Sequence, residues 1–155
     1  MADPLSIAAS VAGLASLAGQ VFKTVIDYSN AVKDAKLDVT TVATELRTLS
    51  GMLHNLSLLA ITLKASGSSR ILFGESQITN LTRIIKNIEA ELNKAKEDFD
   101  KSRLKGAIRS LRWPFSKSDI DKMIGDLRAH KATINLALSA DTLEKLAECL
   151  ELQRR

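Results

Sequence analysis

The sequence predicts an all-α protein: an antiparallel bundle of four long helices, with one or two short helices besides. Three observations predict it. Leu, Ala, Ser, Lys and Ile dominate, aromatic residues are scarce, and the 155 residues include only two prolines, a mixture that favours helix over strand. Apolar residues recur in steps of three and four through four separate stretches, the period of a helix that buries one face. The breaks between stretches are short, which turns each helix back on its predecessor. The length suits a single domain spanning 1–155 with a proper core. No long-period repeat, low-complexity tract or interdomain linker divides it.

The first stretch organises the rest. Asp3 and Pro4 form a helix start, a capping carboxylate followed by proline in the first turn. The helix is expected to run to about Lys33, with Ile7, Val11, Leu14, Ala18, Val21, Val25, Tyr28 and Val32 as its seam. Ala8, Ala12, Ala15 and Gly19 make a second row of small residues that allows close helix approach. Gly13 and Gly19 each cost about 1 kcal/mol relative to alanine. Close packing, membrane association or freedom to rearrange would compensate. From Pro4 to Phe22 the stretch carries no charge. As a helix it spans roughly 28 Å, near the thickness of a bilayer's hydrocarbon. The same residues also read as the core helix of a soluble bundle, and Asp3, Ser6, Ser10, Ser16 and Gln20 make a poor constitutive span.

Asp34 to Leu37 reads as a turn, with Asp38 as the N-cap of a second helix to about Lys64. Its seam is Val42, Leu46, Leu49, Leu53, Leu56, Ala60 and Leu63. Ser66 to Ser69 ends it, and the apolar residues of Arg70 to Gly74 are expected to tuck onto the bundle. Ser76 is placed as the cap of the third helix, with Ile78, Leu81, Ile85, Ile88, Leu92, Ala95 and Phe99 inward and mixed charge outward. From Lys101 to Lys117 the composition turns basic: Lys101, Arg103, Lys105, Arg109, Arg112 and Lys117 occur with no acidic residue among them. Leu104, Ile108 and Leu111 keep the helical spacing, so a short extra helix is expected there. Trp113-Pro-Phe115 then breaks it, because a residue preceding proline avoids the α region. Ser118-x-x-Asp121 resembles a capping box opening the fourth helix, whose apolar side is Ile120, Ile124, Leu127, Ile134 and Leu138. Ser139-Ala-Asp141 is a possible restart before Leu143, Leu146, Ala147 and Leu150. With no terminating Gly or Pro at its end, the chain reads as the N-terminal part of a longer protein.

Composition excludes several classes. One cysteine, Cys149, allows no internal disulfide, reads as a small buried hydrophobe and fits a reducing compartment. The N-terminus lacks the basic region of a secretory signal, and Met-Ala excludes N-myristoylation. His54 and His130 lie on separate helices with no ligand spacing around them, so no metal is expected. Ser66-Gly-Ser-Ser lacks the spacing and lysine of a phosphate-binding loop. No nucleophile–base arrangement stands out, so neither an enzyme nor a cofactor is expected. The basic segment offers phosphate contacts but no nucleic-acid-reading module, so nucleic acid is not an expected partner.

The opening Met-Ala-Asp-Pro-Leu-Ser-Ile-Ala-Ala-Ser-Val-Ala-Gly-Leu resembles the HeLo-like N-terminal domain of fungal proteins that often carry a STAND-type, NLR-like module downstream. The resemblance returns at Leu111-Arg-Trp-Pro-Phe115 and at Ile134-Asn-Leu-Ala-Leu138, and so covers almost the whole chain. It implies a helical-bundle effector of regulated cell death and heterokaryon incompatibility, clustered by a sensor or amyloid-like signal. Such a domain rests in the cytoplasm and damages the plasma membrane once its N-terminal helix is released. On that reading Leu5, Ile7, Val11, Leu14, Leu17, Val21 and Phe22 insert. Lys101, Arg103, Lys105, Arg109, Arg112 and Lys117 attract anionic lipid at about 1 kcal/mol each, with Trp113 and Phe115 suited to the headgroup interface. The alternatives are a solvated basic face with two aromatics covering the bundle end, and a domain that docks or self-associates to transmit a signal without touching lipid.

Overall fold

A computed structural model of the chain describes residues 4–32, 37–65, 73–106 and 111–155, the side chains at 4, 5, 37, 38, 63–65 and 141 apart. Four helices follow in order: α1 (Pro4–Ala31), α2 (Leu37–Ala65), α3 (Glu75–Leu104) and α4 (Lys117–Arg154). There is no strand among the described residues. The protein is an all-α bundle, and the helical period of the apolar residues is the reason. Val11, Leu14, Ala18, Val21 and Val25 of α1 meet Val42, Leu46, Leu49, Leu53 and Leu56 of α2, Leu81, Ile85, Ile88 and Leu92 of α3, and Ile120, Leu127 and Ile134 of α4 in one cluster. At about 1.5–3 kcal/mol per buried large aliphatic side chain, this cluster is the main stabilising term.

The helices form a ring in which α1 touches α2 and α3, and α4 touches α2 and α3, while α1 and α4 lie across the diagonal. The α1–α2 contact is the most extensive and the α3–α4 contact the thinnest. Ser50 fastens the first pair: its hydroxyl donates to the Ala15 carbonyl at 2.8 Å. A methyl added at Gly19 would meet the Ser50 Oγ at 3.4 Å, an ordinary contact, so the helices approach closely there without requiring glycine. The same addition at exposed Gly13 meets nothing within 4 Å. Glu45 of α2, only 7 % exposed, receives Lys131 Nζ at 2.7 Å and Arg128 Nε at 3.0 Å from α4. Burial alone pushes the Glu45 carboxyl up, but the hydrogen bonds and charges of Lys131 and Arg128 together hold it below the usual carboxylate range.

Several boundaries differ from the sequence expectation. α2 already includes Leu37, so Asp38 stands inside its first turn rather than before it. α3 is capped at Gly74, not Ser76: the Gly74 N–H donates to the Gln77 side chain at 3.0 Å, half of a capping box that a glycine hides from view. Phe73 is fully buried, as the apolar loop predicts; Ile71 and Leu72 lie outside the described residues. α3 stops at Leu104 because Gly106 takes φ +74° and returns its N–H to the Arg103 carbonyl, a left-handed helix stop. Leu111 to Ser116 is not helical, and no further short helix occurs among the described residues. α4 begins two residues earlier than expected, on the box Ser116–Asp119 instead of Ser118–Asp121. Phe115 before the cap and Ile120 after it hold the positions of a hydrophobic staple, which favours the earlier box. α4 then runs unbroken through Ser139. Cys149 is exposed rather than buried, because no helix covers that part of α4.

Candidate functional site

Two features that the sequence singles out meet in the fold, though not in the way their chemistry would use them. In α1, Val11, Leu14 and Val21 are buried in the core, and Ile7, Leu17 and Phe22 are half-buried against it; the Leu5 side chain lies outside the described residues. The outward face from Ser6 to Gln20 is Ser6, Ala9, Ser10, Ala12, Gly13, Ser16 and Gln20, all exposed and all uncharged. The first charge on the helix is Lys23. Residues Ser6–Ala31 have the length and mean hydropathy, 1.3, of a membrane span, and about a third of the most apolar stretch is buried inside the protein. A core helix of a soluble bundle meets the same test.

The connection between α3 and α4 crosses the end of α1. Tyr28 donates its hydroxyl to the Arg112 carbonyl. Burial pushes that hydroxyl above its ordinary pKa, so it stays a donor. The Tyr28 ring meets Trp113 edge-on at 5.9 Å and 67°, and Trp113 meets Phe115 at 5.2 Å and 63°. The three rings close the bundle end, each pair adding about 0.5–1.5 kcal/mol beyond its buried area. One defect sits in this cap. Trp113 Nε1 is buried with no hydrogen-bond partner, the one such side-chain atom among the described residues. An orphaned donor of this kind costs about 1–3 kcal/mol.

The cations of this segment stand open. Lys101, Arg103, Lys105, Arg112 and Lys117 are all exposed, and Arg109 lies outside the described residues. Lys101 and Arg103 occupy the last turn of α3, where a positive charge also favours the helix dipole. Arg112 and Lys117 thus stand beside a half-buried aromatic cap in sequence, and Lys101, Arg103 and Lys105 at the exposed end of α3. Among the described residues no group of three or more His, Cys, Asp or Glu is placed to hold a metal ion. His54 is exposed, and His130 is half-buried with its pKa lowered by burial, partly offset by Asp126. Sequence reasoning missed the buried Glu45 ion cluster; its two partners lie three residues apart on α4, but nothing in the sequence links them to a carboxylate 83 residues earlier.

The fold and the site define a class: a four-helix, all-α domain whose uncharged first helix is held in the core and whose α3–α4 connection carries exposed cations and packed aromatics. Residues 2–154 match the family described as the N-terminal domain of the pigment biosynthesis cluster protein PigL. The chain belongs to that family, a fungal domain of the HeLo-like type. No curated protein and no solved structure matches it.

Proposed function

We propose that the domain is a non-enzymatic, membrane-directed effector, resting in the cytoplasm and acting at the plasma membrane when clustered. In this reading it is the executing domain of a fungal NLR-like, cell-death or incompatibility response, and a downstream STAND or amyloid-signalling module supplies the clustering. The observation that carries the proposal is α1: a span-length helix whose buried face is apolar and whose exposed face bears no charge before Lys23. A core helix needs only its inner face uncharged; a helix that also enters lipid needs both. The exposed cations between Lys101 and Lys117 supply attraction to anionic headgroups. The unpaired Trp113 N–H gains partners once the indole reaches water or a headgroup, so leaving the cap relieves a cost.

The test is dye release from vesicles containing phosphatidylserine, compared with neutral vesicles. Ala12→Lys lies on the exposed face and leaves core packing untouched, so the bundle should keep its stability. The expected result is leakage by the parent chain when clustered and its loss in Ala12→Lys. Full leakage by a folded Ala12→Lys variant sinks the proposal.

The second reading is an interaction module that transmits a signal without lipid. It is favoured by the complete burial of Val11 and Val21, and by the nearly complete burial of Leu14. Co-sedimentation decides between the two: no binding to anionic vesicles, clustered or not, leaves the interaction module.

A further inference from the structure

α4 has two opposed faces. Leu127, Ile134 and Ala137 point into the bundle, and no described side chain after Ala137 is buried. On the other side runs a second seam at heptad spacing, in alternating steps of three and four, from Gly125 to Leu150. All eight of its residues are exposed and none is charged. Its leucines are more than half exposed: Leu136 66 %, Leu143 65 %, Leu146 56 % and Leu150 53 %. Such a seam sustained over more than three heptads is the pattern of a helix that pairs with another helix, and among the described residues nothing covers it.

We propose that this outer face of α4 is a self-association surface, on which a second copy of the chain docks antiparallel about a two-fold axis. The choice of a second copy rests on size. When the seam is laid antiparallel on itself, Leu150 falls opposite Gly125, Leu146 opposite Ala129, Leu143 opposite Ala132 and Leu136 opposite Ser139. Every leucine meets a small residue, so the two helices stay equidistant and every knob has a hole. A methyl built on Gly125 meets nothing within 4 Å, so space for the opposing Leu150 is present. A parallel pairing sets leucine on leucine at one end and small on small at the other, which leaves a gap, and it brings Asp121 beside the second copy's Asp126. In the antiparallel pairing Asp126 lies instead within reach of the second copy's Arg154, and like charges do not face each other.

The seam is roughly 39 Å long. At a width near 10 Å it covers about 400 Å² per copy, about 800 Å² in all, which is below the ~1,200 Å² of stable interfaces and in the range of weak, transient ones. The association is therefore weak and concentration-dependent: single copies when dilute, pairs when crowded together. It requires no lipid, so it stands or falls separately from the membrane reading.

Sedimentation equilibrium of the whole chain, without lipid, from micromolar to millimolar concentration tests it. The expected result is a reversible monomer–dimer equilibrium. Leu143→Ala opens a hole and Ala132→Leu overfills one, so each weakens the dimer about tenfold or more. The double variant inverts the pair and recovers most of the loss. Both positions of change are exposed, so unfolding temperatures of the monomers stay near the parent's and report folding independently. Cys149→Ser combined with Ala129→Cys and Leu146→Cys should oxidise to a covalent dimer, whereas Cys149→Ser with Leu150→Cys should not. A parent chain that stays monomeric throughout overturns the proposal, as does a double variant no better than its single parents. Cross-linking through position 150 alone overturns the antiparallel arrangement.

Discussion

The Tyr28 hydroxyl at the end of α1 donates to the Arg112 carbonyl 84 residues later, in the connection between α3 and α4. This bond and the ring pair beside it tie the α3–α4 connection to the helix that the membrane reading requires to move. Tyr28→Phe keeps the ring and removes the bond. The expected loss is about 1 kcal/mol of stability, read by denaturant titration. Under the membrane reading, vesicle leakage should rise as well. A destabilised variant with unchanged leakage would detach the cap from the function.

Trp113→Phe keeps an aromatic contact with Tyr28 and Phe115 and deletes the orphaned N–H. The lost volume is destabilising and the removed orphan stabilising, each by about 1–3 kcal/mol. The net change in unfolding free energy should fall within about 1 kcal/mol of zero, against about 3–5 kcal/mol lost for Trp113→Ala. A Phe variant as damaged as the Ala variant would mean that the indole N–H has a partner after all.

Ser116 and Ser118 make a clean pair. Ser116 accepts from the Asp119 N–H at 3.1 Å and caps α4. Ser116→Ala should cost about 1 kcal/mol. Ser118→Ala, exposed inside the first turn, should be neutral or slightly favourable. Thermal unfolding midpoints distinguish them; equal losses would move the helix start.

Acid should weaken the bundle through Glu45 and His130, besides Asp119, whose carboxyl the Ser116 N–H holds low. The Glu45 carboxyl lies below its ordinary pKa in the fold, so the stability it contributes is present above its unfolded value and is lost as pH falls through the folded one. His130 is also lowered. The unfolded chain therefore takes up its proton first, and stability declines as pH drops below about 6.5. Glu45→Gln should cost about 1–2 kcal/mol at neutral pH, since Arg128 is largely exposed and only Lys131 is well covered. It should also flatten the acid limb below pH 5. An unchanged limb would assign the acid sensitivity elsewhere.

Gly13→Ala should raise stability by up to about 1 kcal/mol, because the added methyl meets nothing and the helix gains propensity. Gly19→Ala should gain less, since Ser50 stands close to it. Circular dichroism melts of the two variants make the comparison.

The helices and most of the core could be read from the sequence because each buried residue repeats at the helical period. Leu81, Ile85, Ile88 and Leu92 are an example: all were placed inward and all are buried. Caps were less legible. Gly74 shows no capping side chain, and its only signal was Gln77 three residues on. Two overlapping Ser-x-x-Asp boxes competed at α4, and the flanking Phe115 and Ile120 decide between them. For the site, charge placement was legible and burial was not. Nothing local in Trp113-Pro-Phe115 says that its rings lie against Tyr28, since that contact is made by residues far apart in the chain. Cys149 was misread for the converse reason: its helix looks amphipathic, but the neighbour its apolar side requires is not in the bundle.

The unequal helix contacts set where the bundle would come apart first. Pulling α1 out alone breaks the broadest contact, while lifting α3 breaks two of the lesser ones. Disassembly should then begin with α3 and the end of α4 swinging away like a loosened shutter, leaving α1 and α2 joined as a hairpin. Anything that enters a bilayer from this protein would arrive with Ser50 still gripping the backbone of its neighbour, two helices at a time rather than a solitary peg.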